Sequence, residues 1–197
     1  QEIRYCEMSP EQAALYNEEK NRIRTELISQ LKEEDNKLNA IALSSLTRLR
    51  LLANHPQIVD EDYENESGKF REIIEQSEIL FSEGHKVLIF SSFVKHLRLL
   101  SAYFEIRKWK YAWLSGSTKN REEVIEQFNS DNEIHCFFIS LKAGGVGLNL
   151  TAANYVFIID PWWNPAAENQ AVSRAHRIGQ NKKVTLYRFI TKDTIEE

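Results

Sequence analysis

The chain of 197 residues nowhere contains Gly-x-x-x-x-Gly-Lys-Ser/Thr, and it has only two cysteines. The first absence excludes a self-sufficient nucleotide site. Nothing here supplies the loop whose backbone cradles phosphates and whose hydroxyl binds magnesium. Ser67-Gly68-Lys69 comes nearest and fails, because Tyr63 stands where the first glycine belongs and Phe70 replaces the Ser/Thr. It reads as a helix start. Of the cysteines, Cys136 lies in an apolar run and reads as a buried strand residue, while Cys6 has no evident partner. Reduced thiols and an intracellular protein are therefore expected. No apolar run approaches the length of a membrane span, no signal-peptide pattern occurs, and no membrane partner is expected. Internal repeats and low-complexity tracts are also missing. The chain begins at Gln1 and stops inside an apparent helix at Thr194-Ile-Glu-Glu197, so it reads as a piece of a longer protein.

The net charge of −4 does not by itself suggest a nucleic-acid partner, but the average hides a local reversal. Between Pro161 and Lys192 lie Arg174, Arg177, Lys182, Lys183, Arg188 and Lys192 against the single acid Glu168. A basic patch on an acidic protein is the informative case. The opposite bias sits at Asp60-Glu-Asp-Tyr-Glu-Asn-Glu66, which reads as a solvated connector.

Three of the seven glycines fall within four residues, in Ser140-Leu-Lys-Ala-Gly144-Gly145-Val-Gly147-Leu-Asn149-Leu150. Such a segment suits backbone approach to a phosphate, or it is a loop that needs positive φ values. It is not a dinucleotide fingerprint, since the third glycine would fall on Leu150. About twenty residues on comes Gln170-Ala-Val-Ser-Arg174-Ala-His176-Arg177-Ile-Gly179-Gln180. Two arginines three apart share one face of a helix. No acid lies four residues from either arginine, which weakens the reading as surface ion pairs. His176 lacks a second metal-type ligand nearby, and no metal site is expected. Ile158-Ile159-Asp160 resembles a magnesium-holding strand end. Yet Pro161-Trp162-Trp163-Asn164-Pro165 follows with no second acid, so a strand end leading into a rigid turn is favoured. Core packing is the ordinary role of Trp162-Trp163, although a turn can present one indole to a partner.

Residues 1–66 read as helical. Ser9-Pro10-Glu11-Gln12 is a capping box with proline at the first helical position. Tyr16, Ile23, Leu27 and Leu31 recur at helical spacing, then Leu38, Ala42, Leu46, Leu49 and Ala53 form a second stripe that Asn54-His55-Pro56 stops. From Ser67 helices alternate with short apolar strands at Val87–Ser91, Tyr111–Leu114, His135–Ser140, Tyr155–Asp160 and Val184–Ile190. That pattern predicts an α/β fold with a mostly parallel sheet covered by helices on both faces. Ligands of such sheets sit beyond the carboxyl ends of the strands, where both informative clusters fall.

Six segments occur in order: Val87-Leu-Ile-Phe-Ser-Ser-Phe93, Leu114-Ser-Gly-Ser-Thr118, Gln127-Phe128, Ser140 to Leu150, Asp160-Pro-Trp-Trp-Asn-Pro165 and Gln170 to Gln180. Together they resemble the second, C-terminal RecA-like lobe of the Swi/Snf-type ATPases of helicase superfamily two. The first is similar to that family's motif IV, the glycine segment to motif V and the arginine segment to motif VI. Leu49-Arg-Leu-Leu-Ala-Asn-His-Pro56 is similar to the helix preceding that lobe. The resemblance implies three parts: a helical protrusion with lead-in helices at 1–66, a RecA-like lobe at 67–190 and the start of a brace segment at 191–197.

It further implies that ATP and Mg2+ are held mainly by an absent partner lobe, the N-terminal RecA-like lobe of the same protein. Arg174 and Arg177 would act across the cleft as arginine fingers, with Gln170 supporting them. Gly145, Gly147 and Asn149 would border the nucleotide. Ser91, Ser92, Ser117, Thr118 and Lys142, with the backbone at Gly145, would meet the phosphates of double-stranded DNA, and Trp163 would lie near the groove. The fragment is expected to be monomeric, cytoplasmic (nucleoid) in a bacterium or nuclear in a eukaryote. Motif IV reads Ser91-Ser92-Phe93 where many members have Ser-Gln-Phe, so any role of that glutamine has no counterpart here. A strand-separating helicase and a non-catalytic DNA-binding lobe remain alternatives.

Overall fold

In this computed structural model, residues 1–30, 35–143, 148–162, 164–175 and 182–197 are described. The chain divides into two compact units. One comprises Gln1–Arg4 and Ile73–Ile190, the other Tyr5–Glu72 and Thr191–Glu197.

The larger unit is built on a sheet of β1 (Glu2–Cys6), β2 (Val87–Ser91), β3 (Tyr111–Leu114), β4 (Cys136–Ser140), β5 (Tyr155–Ile158) and β6 (Thr185–Thr191). The strand order is β1-β6-β5-β2-β4-β3. The pairs β2–β4, β2–β5, β3–β4 and β5–β6 are all parallel. The central strands are almost wholly apolar and buried because both faces are covered. Alternate residues serve opposite layers. Leu88, Phe90, Phe137, Ile139, Val156 and Ile158 share one core with Phe128 of α5 (Arg121–Ser130) and Ala167 of α6 (Pro165–Ala175). Toward the other layer, Phe138 meets Phe104 of α4 (Val94–Ile106), with ring centroids 5.0 Å apart. Phe104 in turn meets Phe81 of α3 (Gly68–Ser82) at 5.8 Å. Gly84, at φ +80°, ends α3 with bonds from its own N–H to Phe81 O and from His85 N–H to Leu80 O. This is the left-handed glycine stop that satisfies the last carbonyls of a helix.

The smaller unit holds α1 (Pro10–Gln30), α2 (Asp35–Asn54), a single 3-10 turn at Pro56–Ile58 and the first residues of α3. Tyr16, Ile23, Leu49, Leu52 and Ala53 form its apolar cluster, which Ile195 of the tail joins. Only half of the expected capping box forms. Ser9 Oγ accepts from Gln12 N–H at 3.2 Å, but the Gln12 side chain turns inward. There it donates to Leu52 O (3.0 Å) and Ala53 O (3.3 Å) and accepts from Gly68 N–H (3.1 Å). A fully buried amide is thus spent on tertiary pairing, where leaving those backbone groups unpaired would cost more than the cap supplies.

Two expectations are corrected. Residues 194–197 form turns and no helix. Glu2–Cys6 is a strand, not part of a helix. Its alternation is inverted, with Ile3 and Tyr5 exposed and Cys6 buried. The strand exists because β6, about 180 residues away in sequence, offers an edge to pair with. The Ser67-Gly68-Lys69 helix start forms as expected, with Ser67 Oγ accepting from Phe70 N–H at 3.3 Å. A Cβ at Gly68 would lie 1.6 Å from Glu7 O, so that glycine answers a close backbone approach.

Candidate nucleic-acid and phosphate interface

Strand register decides which loops are neighbours. Phe90 of β2 stands level with Ile139 of β4 and Ile158 of β5, and Leu114 of β3 is level with Ile139. The carboxyl ends of these four strands therefore finish along one edge. The segments leaving that edge carry Ser115–Thr118, Lys142, Ser91–Ser92 and Asp160.

After β3 the chain turns tightly. Thr118 N–H donates to Ser115 O at 3.1 Å, and Thr118 Oγ1 accepts from Ser115 N–H at 3.0 Å. Ser117 is exposed at the turn and its hydroxyl lies 3.0 Å from that of Ser115. After β4, Leu141 N–H donates to Ser91 O and Ala143 N–H to Ser140 O, both at 3.0 Å, which leaves Lys142 exposed at the tip. Arg121, at the start of α5, places Nη1 3.4 Å from Ala143 O. Asn129, near the end of α5, donates to Asn149 O at 2.9 Å. The α5 helix thus touches the chain on both sides of the glycine segment. Asn149 itself is exposed.

At the end of β2, Ser91 and Ser92, expected to meet phosphates, have their hydroxyls turned to Asp160. Ser91 is buried and donates to Asp160 Oδ1, while Ser92 donates to Oδ2 from both its N–H (3.0 Å) and its hydroxyl (2.5 Å). Asp160 is 1% exposed. A carboxylate so committed to protein donors does not fit a magnesium ligand, and among the described residues no group of three or more acidic, His or Cys side chains is arranged to hold a metal ion.

Beyond β5, Trp162 is buried and sets its ring edge-on to Phe90 at 6.5 Å. It belongs to the core. Asn164 then caps α6, accepting from Ala166 N–H at 3.1 Å, with Pro165 at the first helical position. Glu168 is buried and meets Arg188 of β6 through two contacts, at 2.7 and 3.1 Å. The lone acid of the basic patch therefore neutralises one of its six cations and pins α6 to the sheet. Gln170, two residues on, is about 200° further round the helix and is exposed. Arg174 follows one turn after Gln170 on the same face of α6. Arg177, Gly145, Gly147 and Trp163 lie outside the described residues.

Sequence reasoning did not find the Arg121, Asn129 or Glu168–Arg188 contacts, nor Asp160 as a hub. The partners are 20 to 69 residues apart, and no local pattern announces them.

Residues 68–179 match the family model for the helicase conserved C-terminal domain. Protein CHROMATIN REMODELING 8 of Arabidopsis thaliana is 34% identical over 99% of this chain, which spans 17% of that protein. DNA repair protein RAD5A, also of Arabidopsis thaliana, is 47% identical over 67% of the chain, spanning 13% of its own length. The chain thus covers less than a fifth of these relatives. Among solved structures, the C-terminal part of the Fun30 ATPase domain superposes with a TM-score of 0.80 at 28% identity, covering 98% of this chain and 85% of that one. The Sulfolobus solfataricus SWI2/SNF2 ATPase core in complex with dsDNA gives a TM-score of 0.86 at 29% identity, covering 99% of this chain and 41% of that one.

Proposed function

Because the chain belongs to the helicase C-terminal domain family, as the second RecA-like lobe of a Swi/Snf-type superfamily-two ATPase, we propose that it serves as one half of an ATP-driven double-stranded-DNA translocase. The observation that carries this reading is the single sheet edge shared by the segments bearing Ser115–Thr118, Lys142 and the Asp160–α6 turn. Hydroxyls, backbone N–H groups and one lysine make contacts that carry no sequence information, which suits tracking along a phosphate backbone.

ATP binds between this lobe and the N-terminal lobe, which contributes the phosphate loop and holds most of the nucleotide. Mg2+, carried with the nucleotide by that other lobe, offsets phosphate charge. The part of this chain is the α6 face. Asn164 and Pro165 start that helix, Glu168–Arg188 anchors it, and Gln170 and Arg174 then lie on the side away from the anchor. Together with Arg177, these residues bring guanidinium groups to the γ-phosphate and stabilise the charge that spreads over it in the transition state. Gly145, Gly147 and Asn149 border the same cleft. Closing and opening of the cleft moves the DNA-facing edge along the duplex. In a eukaryote such a protein works in the nucleus, as chromatin and DNA-repair relatives imply.

The test is made in the full-length protein. Arg174→Ala and Arg177→Ala should leave ATP binding intact and lower the rate of DNA-stimulated hydrolysis by roughly 10³–10⁵-fold. Near-normal kcat in both variants would make these arginines surface residues. Absence of DNA stimulation in the wild type would remove the translocase reading, and strand separation would replace it with the helicase alternative.

A further inference from the structure

We propose that Asp160 is a positioning residue that couples the loop after β2 to the turn leading into α6, so that DNA engagement on the sheet edge is felt at Gln170 and Arg174. The proposal rests on the translocase reading above.

The geometry is unusual in how much one side chain holds. Ser91 Oγ and both polar groups of Ser92 converge on the Asp160 carboxylate. Ser91 Oγ also accepts from Phe93 N–H at 3.0 Å. Phe93 is the residue before α4 and has no side chain able to cap it. Asp160 therefore organises, directly and through Ser91, the three consecutive residues that precede α4.

The other side of Asp160 is equally constrained. Ile159 N–H is held by Phe90 O at 3.2 Å, Trp162 is locked in the core, and Asn164 caps the helix that Glu168 pins to β6. Leu141 N–H, beside Lys142, donates to Ser91 O at 3.0 Å, so a displacement at Lys142 reaches Ser91 and passes to Asp160 through a buried, charge-assisted network and not through solvent.

The chemistry also decides what Ser91 and Ser92 can offer DNA. A hydroxyl has one proton, and both protons are given to Asp160. Neither hydroxyl can donate to a phosphate while that bond stands. A phosphate approaching Ser92 from outside would also meet the Asp160 carboxylate behind it. The two serines thus act as anchors of the loop, and contact with DNA on this edge falls to Lys142 and the β3 turn.

The experiment uses the full-length protein and measures three quantities: affinity for a duplex by fluorescence anisotropy, basal ATPase and ATPase at saturating duplex. Asp160→Asn keeps the shape but opposes an amide N–H₂ or a single acceptor to three donors. It should leave duplex affinity and basal ATPase within about twofold and lower the duplex-stimulated kcat by roughly 3- to 30-fold. Ser92→Ala should lower stimulated kcat in the same way without changing the salt dependence of duplex binding, and Ser92→Thr, which keeps the hydroxyl, should restore it. Combined with Asp160→Asn, Ser92→Ala should add little further loss, because both break one network. If Asp160→Asn does not fold, the Ser92→Ala and Ser92→Thr pair carries the test alone. A Ser92→Ala variant that binds duplex weakly, with a salt slope reduced by about one and normal kcat at saturation, would make Ser92 a phosphate contact and overturn the proposal. Additive losses would overturn it too. In either case a wild type stimulated by DNA leaves the translocase reading standing.

Discussion

Replacing Glu196 with alanine should destabilise the helical unit far more than its place near the end of the sequence suggests. Lys69 is fully buried, and its ammonium donates to Glu196 Oε1 (2.5 Å), Glu196 Oε2 (2.6 Å) and Asn54 Oδ1 (2.8 Å). Glu196 Oε1 also accepts from Thr191 N–H at 2.9 Å. Removing Glu196 leaves a buried ammonium with a single neutral acceptor and orphans that backbone N–H. Breaking a buried pair on one side costs about 3–5 kcal/mol. At this chain length each kcal/mol lowers the melting temperature by about 2–4 °C, so a fall of roughly 6–20 °C is expected. Replacing both partners with apolar residues, Lys69→Met with Glu196→Leu, removes the uncompensated charge and should recover most of that loss. Denaturant titration of the wild type, both single variants and the double variant measures the coupling. A Glu196→Ala cost below about 1 kcal/mol, or a double variant equal to the sum of the singles, would refute the argument, since ordinary surface changes stay within about 0.5 kcal/mol. The same series decides the role of Lys69. A structural lysine shows its effect in stability, whereas a phosphate-binding lysine would show it in nucleotide affinity.

Two further outcomes follow from single side chains. Burial pushes the His55 imidazole down from 6.5 to about 4, and its Nδ1 accepts from Gln57 N–H at 3.1 Å, which requires the neutral ring. The unfolded chain therefore binds the extra proton. Stability from this group is fully present above pH 6.5 and is lost as pH falls toward 4, amounting to about 3 kcal/mol. His55→Gln should flatten that part of a stability-against-pH curve. Lys142→Ala, in the full-length protein, should weaken duplex binding evenly across sequences and reduce the salt slope by about one, read by anisotropy at several salt concentrations. A loss confined to particular sequences would remove Lys142 from the phosphate track.

The sequence alone determined the alternation of elements and hence the α/β class. Apolar runs such as Val87–Ser91 and Cys136–Ser140 can be satisfied only between two helical layers, and local signals such as Asn164-Pro165 and Gly84 mark where helices begin and end. The ordered motifs also pointed to the sheet edge proposed as the interface, because loops leaving parallel strands must emerge at one edge. The tertiary structure decided what no local pattern encodes. Glu2–Cys6 becomes a strand because an edge is free beside it. Gln12 abandons its cap for carbonyls 40 and 41 residues away. Lys69, which sequence spacing had only disqualified from a phosphate loop, finds its counterion 127 residues on. Asp160, legible as a strand end, becomes a hub because β2 and β5 are neighbours in space and 69 residues separate Ser91 from it in the chain. Periodicity and capping act over a few residues and so can be read in order along the chain. Buried polar groups take whichever partner the packed sheet brings within hydrogen-bonding distance, and that choice exists only once the chain has folded.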